Sequence, residues 1–240
     1  MLLLLDVQEL DTKRNAAQYR LERLPEAEQL AELKRQRAGV EGQVRDLRIS
    51  VTDLTDEQQR ADADVEQVRA RRERDQGMVD SGAISDPKAL QSMMGELESL
   101  ARRIATLEDV EIEVMERLEQ AQSDLSAGEQ QLTALDDQLE QAQAALDQAR
   151  AGLAAEISEL GANRDRVAQS LPQELLEHYE RLRDKKGGVG AALLQRKECL
   201  GCGLALNAAE LAALAKAPRD EVQHCDDCGR ILVITSESGL

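Results

Sequence analysis

From Leu97 to Leu153 a seam residue recurs at steps that alternate three and four without a slip. The series is Leu97, Leu100, Ile104, Leu107, Val114, Leu118, Ala121, Leu125, Gly128, Leu132, Leu135, Leu139, Ala142, Leu146, Ala149 and Leu153, interrupted by Glu111. A sustained 3.5-residue period with polar flanks is the pattern of a coiled coil, because it keeps one narrow stripe of an α-helix against a partner helix. The first half of the chain carries a second stripe: Leu30, Leu33, Val40, Val44, Leu47, Val51, Leu54, Ala61, Val65 and Val68, with Arg37 and Gln58 breaking it.

Two stripes can serve one hairpin. If the chain folds back, the residue numbers of facing positions share one total. Pairing Leu30 with Leu135, Leu47 with Leu118 and Val68 with Leu97 gives 165, which puts the fold-back near residue 82. Periodicity fixes that total only modulo seven. The segment Gly77 to Pro87, rich in Gly, Ser, Asp and Pro, supplies the turn chemistry at the same place. Asp86 or Ser85 can cap the second helix, with Pro87 in its first turn. In this register Arg37 faces Gly128, so a long side chain meets a position without one and reaches solvent across the seam.

Pro25, in Leu24-Pro25-Glu26, predicts a break before the first arm, since proline removes an intrahelical donor and clashes with the preceding turn. The N-terminal segment then forms its own short helix, whose stripe of Leu3, Val7, Leu10, Ala17, Leu21 and Leu24 continues against residues 142–160 with totals near 166 or 167. Gly161, Pro172 and Lys185-Lys186-Gly187-Gly188 predict the end of the paired helices, with a short helix over 171–186. The expected fold is therefore mainly α: a long antiparallel coiled-coil hairpin over 1–186, kinked at Pro25 and with its tip at about 77–87, followed by a small C-terminal β domain over 187–240. Composition agrees. Two tyrosines, with no phenylalanine or tryptophan among 240 residues, cannot fill a large globular core, whereas a leucine and alanine stripe suits an elongated fold.

The C-terminal domain carries the strongest chemical signal. Cys199-Leu200-Gly201-Cys202-Gly203 and Cys225-Asp226-Asp227-Cys228-Gly229 hold all four cysteines of the chain. A Cys-x-x-Cys turn converges two thiolates on one ion, and the glycine after it permits the left-handed backbone that aims amides at sulfur. Two such knuckles complete a tetrahedral site, which predicts one structural Zn2+ held by Cys199, Cys202, Cys225 and Cys228. Four thiolates leave no open coordination position for catalysis. β-prone runs at 189–195 and 231–235 and a short helix over 207–216 fit a zinc ribbon. An iron-thiolate rubredoxin centre would sit in an aromatic core, absent from this segment, and a thioredoxin-like role lacks the surrounding βαβ pattern. His224, beside Cys225, reads as a surface residue.

The formal charge of −17 excludes a general nucleic-acid coat, because an acidic surface repels phosphate. Two basic groups stand against that background. Arg69, Arg71, Arg72 and Arg74 approach the hairpin tip, joined by Arg102 and Arg103 from the second arm. Arg181, Arg183, Lys185, Lys186, Arg196 and Lys197 flank the junction with the ribbon. Either group can contact phosphates or an acidic protein, or be neutralised by neighbouring carboxylates such as Glu73, Asp75, Glu96, Glu98 and Asp184. No phosphate-binding glycine loop and no catalytic grouping accompanies His178 or His224, so a non-enzymatic protein is expected. The apolar start, Met1 to Leu5, is too short for a signal peptide or a membrane span, and paired cysteines used for metal suit a reducing cytoplasm. A hairpin that satisfies its own seam can be a monomer, or can dimerise through an arm surface.

These residues resemble a bacterial family of coiled-coil proteins with a C-terminal four-cysteine zinc ribbon, described as nucleic-acid-binding. The resemblance is carried by Leu5-Asp6-Val7-Gln8-Glu9-Leu10-Asp11, Leu24-Pro25-Glu26, the stretch from Ile84-Ser85-Asp86-Pro87 to Met115-Glu116, Leu171-Pro172, Tyr179-Glu180-Arg181-Leu182-Arg183 and Cys228-Gly229-Arg230-Ile231-Leu232. It covers nearly the whole chain. It implies a kinked helical hairpin with a zinc-bearing domain, ligated by the four cysteines. It also implies an adaptor or regulatory role that touches transcription, RNA, or secretion and flagellar systems in some bacteria. The alternative is a protein–protein scaffold that binds no nucleic acid.

Overall fold

The stripes fold as helices wherever glutamate, glutamine, arginine, alanine and leucine dominate, the residues that lose least side-chain freedom in a helix. A computed structural model describes residues 1–218 and 221–240. Helix α1 runs Leu2–Glu22, α2 Pro25–Asp80, α3 Pro87–Ala168 and α4 Gln173–Lys185. The strands β1 Ala191–Gln195, β2 Glu198–Cys199 and β3 Leu204–Ala205 come next. Helix α5 Ala208–Lys216 precedes β4 Gln223–His224 and β5 Ile231–Val233. The chain is thus mainly helical, with a long hairpin of α2 and α3 and a small C-terminal sheet. Pro25 opens α2 and breaks it from α1, as expected. Two compact units are described in turn: an arm unit, Gln29–Ala142, and a ribbon unit, Met1–Glu28 with Gln143–Leu240.

In the arm unit, α2 and α3 lie antiparallel with both stripes turned inward. Val40 and Val44 pack with Leu132 and Leu135, and Leu54 and Val51 with Leu118 and Ala121. The register differs from the expected one by one heptad. The residue opposite Gly128 is Val44, whose Cγ2 lies 2.9 Å from where a Gly128 Cβ would stand. Facing positions therefore total 172 rather than 165, and Arg37 does not cross over Gly128. It pairs instead with Asp136 on α3 and with Glu41 one turn along α2. At the tip α2 stays helical through Gly77, Met78, Val79 and Asp80, so the turn occupies only residues 81–86. Gly82 takes a left-handed φ of 69° there, and the Asp86 carboxylate caps α3 by accepting the Ala89 N–H at 2.9 Å.

In the ribbon unit α3 continues past Gly161 to Ala168, so that glycine does not end it. Helix α1 buries Leu4, Val7 and Ala17, leaving Leu3 exposed, and it turns two polar residues inward, Gln8 and Asp11. Asp11, 3% exposed, accepts from the Tyr179 hydroxyl at 2.7 Å, Arg183 Nη1 at 3.2 Å and Arg164 Nε at 3.3 Å, tying α1 to α3 and α4. Arg164 reaches Glu180 as well, at 2.6 Å. Burial works against the Arg164 guanidinium, but Glu180 and Asp11 raise its pKa above the ordinary value. Asp11 opposite Arg164 and Arg20 beside Glu156 place α1 more than a heptad further along α3 than the apolar stripe predicts.

The sheet runs in the order β3-β2-β1-β5-β4, with β1 parallel to β5 and the other pairs antiparallel. Alternate residues of β1 and β5 serve opposite faces. Ala191 and Ile231 join Leu4, Val7, Ala168 and Tyr179 in one core, while Ala192, Leu194 and Leu232 join Cys199, Cys225, Leu206 and Leu214 in the other.

Candidate metal centre

Each Cys-x-x-Cys turn is built by the glycine after it. Gly203 and Gly229 hold φ of 72° and 69°, and their N–H groups close the turns on the carbonyls of Cys199 at 2.8 Å and Cys225 at 2.7 Å. The first knuckle leaves the end of β2 and the second follows β4. All four sulfurs lie within 4.8 Å of one another, with Cys199 to Cys228 at 4.0 Å and Cys202 to Cys225 at 3.9 Å. A tetrahedron of sulfurs bonded to zinc at about 2.3 Å has edges of about 3.8 Å, close to those two separations, so the donor set suits that ion. Cys199 and Cys225 are fully buried, and Cys202 and Cys228 are half-buried. Bound there, zinc supplies cross-linking of the two knuckles and no reactive position.

The sulfurs differ in electrostatics before a metal binds. Burial raises the Cys199 thiol and pushes Cys225 up to about 12, against amide hydrogen bonds that favour each thiolate. At Cys228 burial also acts upward, but the Arg230 amide and guanidinium and the neighbouring thiols outweigh it and bring the pKa down to about 7. Arg230 is a residue that motif spacing does not reveal. Its Nε donates to the Val189 carbonyl at 2.9 Å and its Nη2 to Lys186 at 3.0 Å, so one cation braces the second knuckle against the start of β1. Its side chain and Ala192 leave no room at Gly201, where a Cβ would fall 2.8 Å from both. The only signal in the sequence is its place directly after Gly229.

His224 is exposed and stands outside the sulfur cluster, as expected. Its Nε2 lies 2.8 Å from Nε2 of His178, with ring centroids 5.1 Å apart. Those two distances place the rings head-on, so one N–H donates to the other nitrogen. Burial lowers the His224 pKa, and His178 lowers it further.

The basic residues are treated differently from one another. Arg69 pairs with Glu66 and Glu108, and Arg71 with Asp75 and Glu96, so carboxylates of both arms neutralise them. Arg72, Arg74, Arg102 and Arg103 are exposed and form no ion pair with a described residue. Arg183 turns inward to Asp11 and Asp184, which corrects its assignment to a surface cluster. The remaining junction residues do not form one group. Arg181, Lys185 and Lys186 lie on or just after α4, whereas Arg196 and Lys197 form the β1–β2 turn, separated from them by a strand on the order of 15 Å long. All five are exposed without an ion pair to a described residue. Arg196 and Lys197 hold φ of 49° and 67°, the conformation that two-residue hairpin turns impose and that Asn-Gly adopts most cheaply. Their N–H groups donate to Glu237 at 2.8 Å and Ser238 at 2.9 Å. No helix among the described residues is long and apolar enough to cross a membrane.

Comparison with known proteins agrees with this construction. Residues 7–187 match the CT398-like coiled coil hairpin domain, and residues 199–232 match the C4-type zinc ribbon domain. An uncharacterized protein of Mycobacterium tuberculosis, Rv2229c, is 35% identical over 230 residues, 96% of this chain and 93% of its own length. A solved structure from Mycobacterium smegmatis superposes with a TM-score of 0.75 at 31% identity, covering 96% of this chain and 95% of that one. The structure of CT398 from Chlamydia trachomatis shares the fold, with a TM-score of 0.63 at 18% identity over 97% and 96% of the two chains. With its hairpin and its four-sulfur knuckle pair both accounted for, the chain belongs to the family of CT398-like coiled-coil hairpin proteins that end in a C4-type zinc ribbon.

Proposed function

We propose that this protein is a non-enzymatic, cytoplasmic adaptor whose zinc ribbon and adjoining basic residues engage a nucleic acid or a protein of the transcription machinery. The observation that supports this reading is the set of basic residues left without carboxylate partners beside the metal centre: Arg181, Lys185 and Lys186 on one side, Arg196 and Lys197 on the other. Two long cations in a left-handed turn cost backbone energy that Asn-Gly would not, about 1–3 kcal/mol for each residue. A phosphate or carboxylate partner accounts for keeping them there. The contact is local, because the chain as a whole carries −17.

Titration of labelled RNA and DNA with the full, zinc-loaded chain tests the reading. If four phosphates are neutralised, affinity for a single strand falls by about 50-fold between 50 and 200 mM salt. Replacing Arg196 and Lys197 by Asn-Gly preserves the turn and weakens binding. Absence of binding at low salt, or binding indifferent to that replacement and to Lys185→Gln with Lys186→Gln, refutes the nucleic-acid form. The second reading, a protein scaffold without nucleic-acid contact, is favoured by large apolar side chains left exposed on the arms, Ile49, Ile112 and Met115 among them.

A further inference from the structure

We infer that the middle of the hairpin arms is a docking groove for a basic amphipathic helix of another protein. The groove is lined by Gln58 of α2 and by Ile112, Met115, Leu118 and Glu119 of α3. Leu118 is buried in the seam, but Ile112 is 55% exposed and Met115 46% exposed, on the same face of α3 at a spacing of three. A monomeric coiled coil does not need large apolar residues at such positions. Gln58, half-buried where the seam pattern calls for an apolar residue, faces Val114 and lines the groove with Ile112.

The charge around the groove identifies what fits it. Residues 108–119 contain Glu108, Asp109, Glu111, Glu113, Glu116 and Glu119, and the facing residues 53–64 contain Asp53, Asp56, Glu57, Asp62 and Asp64. Eleven carboxylates stand there against two arginines of the same segments, Arg60 and Arg117; Arg117 is engaged by Glu57, and Arg69 reaches Glu108 from nearer the tip. The arginines nearer the tip, Arg69 and Arg71, mark the end of this band. An apolar floor with an anionic rim is complementary to a helix that presents two or three apolar residues at i, i+3 and i+4 between lysines and arginines. The same rim repels a second copy of this band and excludes nucleic acid. The inference stands independently of whether the ribbon binds phosphate.

The test uses the full chain and a synthetic 18-residue leucine–lysine helix as the probe, with a control of equal composition in which leucines and lysines are not segregated. Fluorescence anisotropy is expected to show one peptide per chain. Ile112→Ser with Met115→Ser weakens binding by about tenfold or more, as loss of two central apolar contacts does, while Met94→Ser, exposed outside the groove, leaves it unchanged. Helicity by circular dichroism establishes that the arms remain folded, and Glu116→Lys with Glu119→Lys reads the same groove through its charge. Equal binding of the scrambled peptide, or of the I112S/M115S chain, overturns the inference in favour of undirected attraction to an acidic rod. Self-association of the unliganded chain that I112S/M115S abolishes overturns it in favour of a second copy as occupant.

Discussion

The side-chain oxygen of Gln8 accepts the backbone N–H of Gly190 at 2.7 Å, joining the first helix to the start of the first ribbon strand. The same oxygen accepts from Ala191 at 3.3 Å, while Gln8 Nε2 donates to the Gly188 carbonyl and to the Thr12 hydroxyl, each at 3.0 Å. Gly190 permits the approach, since a Cβ there would sit 2.7 Å from the Tyr179 carbonyl oxygen. Gln8→Ala leaves two buried amides unpaired and is expected to destabilise the ribbon unit by about 1–3 kcal/mol. Hydrogen exchange at Gly190 and Ala191 checks it: both amides exchange faster in the variant, and amides of residues 29–142 do not.

Tyr179 predicts a pH dependence. Burial, and then its hydrogen bond to Asp11, raise the phenol pKa above the ordinary value. A raised folded-state pKa favours the protonated form, so this contribution is complete below about pH 10, the unfolded value, and is lost as pH climbs toward and through the folded one. Tyr179→Phe removes the titrating group. The stability gap between wild type and variant is expected to narrow above pH 10 by up to about 1.4 kcal/mol per pH unit. Denaturant unfolding at pH 8, 10 and 11 measures it, and a gap constant across that range contradicts the assignment.

Asp11→Ala acts on the same network more severely. It leaves Arg164 and Arg183 near each other without their shared carboxylate, an uncompensated charge that costs about 3–5 kcal/mol when buried. Thermal unfolding should show the ribbon unit melting well below its wild-type temperature.

The one-heptad shift in the arms has a signature of sign. Helical glycine to alanine gains about 0.5–1 kcal/mol where space allows, as at Gly42, where nothing lies within 4 Å. At Gly128 the new methyl meets Val44 at 2.9 Å, and overpacking a seam costs about 1–3 kcal/mol. Gly42→Ala should therefore raise the midpoint of arm unfolding and Gly128→Ala lower it. With Arg37 opposite Gly128 both would raise it.

Removing zinc with a chelator takes away the cross-link between the knuckles, and Cys202→Ser does the same to the ligand set. Exchange protection of Ala191–Gln195 and Ile231–Val233 is expected to collapse in both cases while the helical signal of the arms persists, because structural zinc contributes about 10–16 kcal/mol to folding of small domains. Metal analysis should give one zinc per untreated chain.

Features that rest on local chemistry were readable from residues alone: the stripes of Leu97 to Leu153, the break at Pro25, the Asp86 cap and the four cysteines. Features that depend on which of several equivalent contacts wins were not. A heptad pattern is indifferent to a shift of seven, so it does not tell Val44 from Arg37 as the residue opposite Gly128. Gln8 and Asp11 look like surface residues of an amphipathic helix, because nothing in their neighbourhood announces that the Gly190 and Ala191 amides and the Arg164 guanidinium come to meet them. Arg183 reads as one more cation in Arg181-Leu182-Arg183, yet it is the one turned toward Asp11. Lys186 and Arg196 are close in sequence and parted by β1, which no count of charges reveals.

The bonds from Gln8 and Asp11 to residues beyond 160 also set a schedule for synthesis. Helix α1 leaves the ribosome long before its partners Tyr179, Gly190 and Ile231. At about 5–20 residues per second the nascent helix waits roughly ten to forty seconds with Leu4 and Val7 uncovered. During that interval Leu4 and Val7 are open to capture by a chaperone.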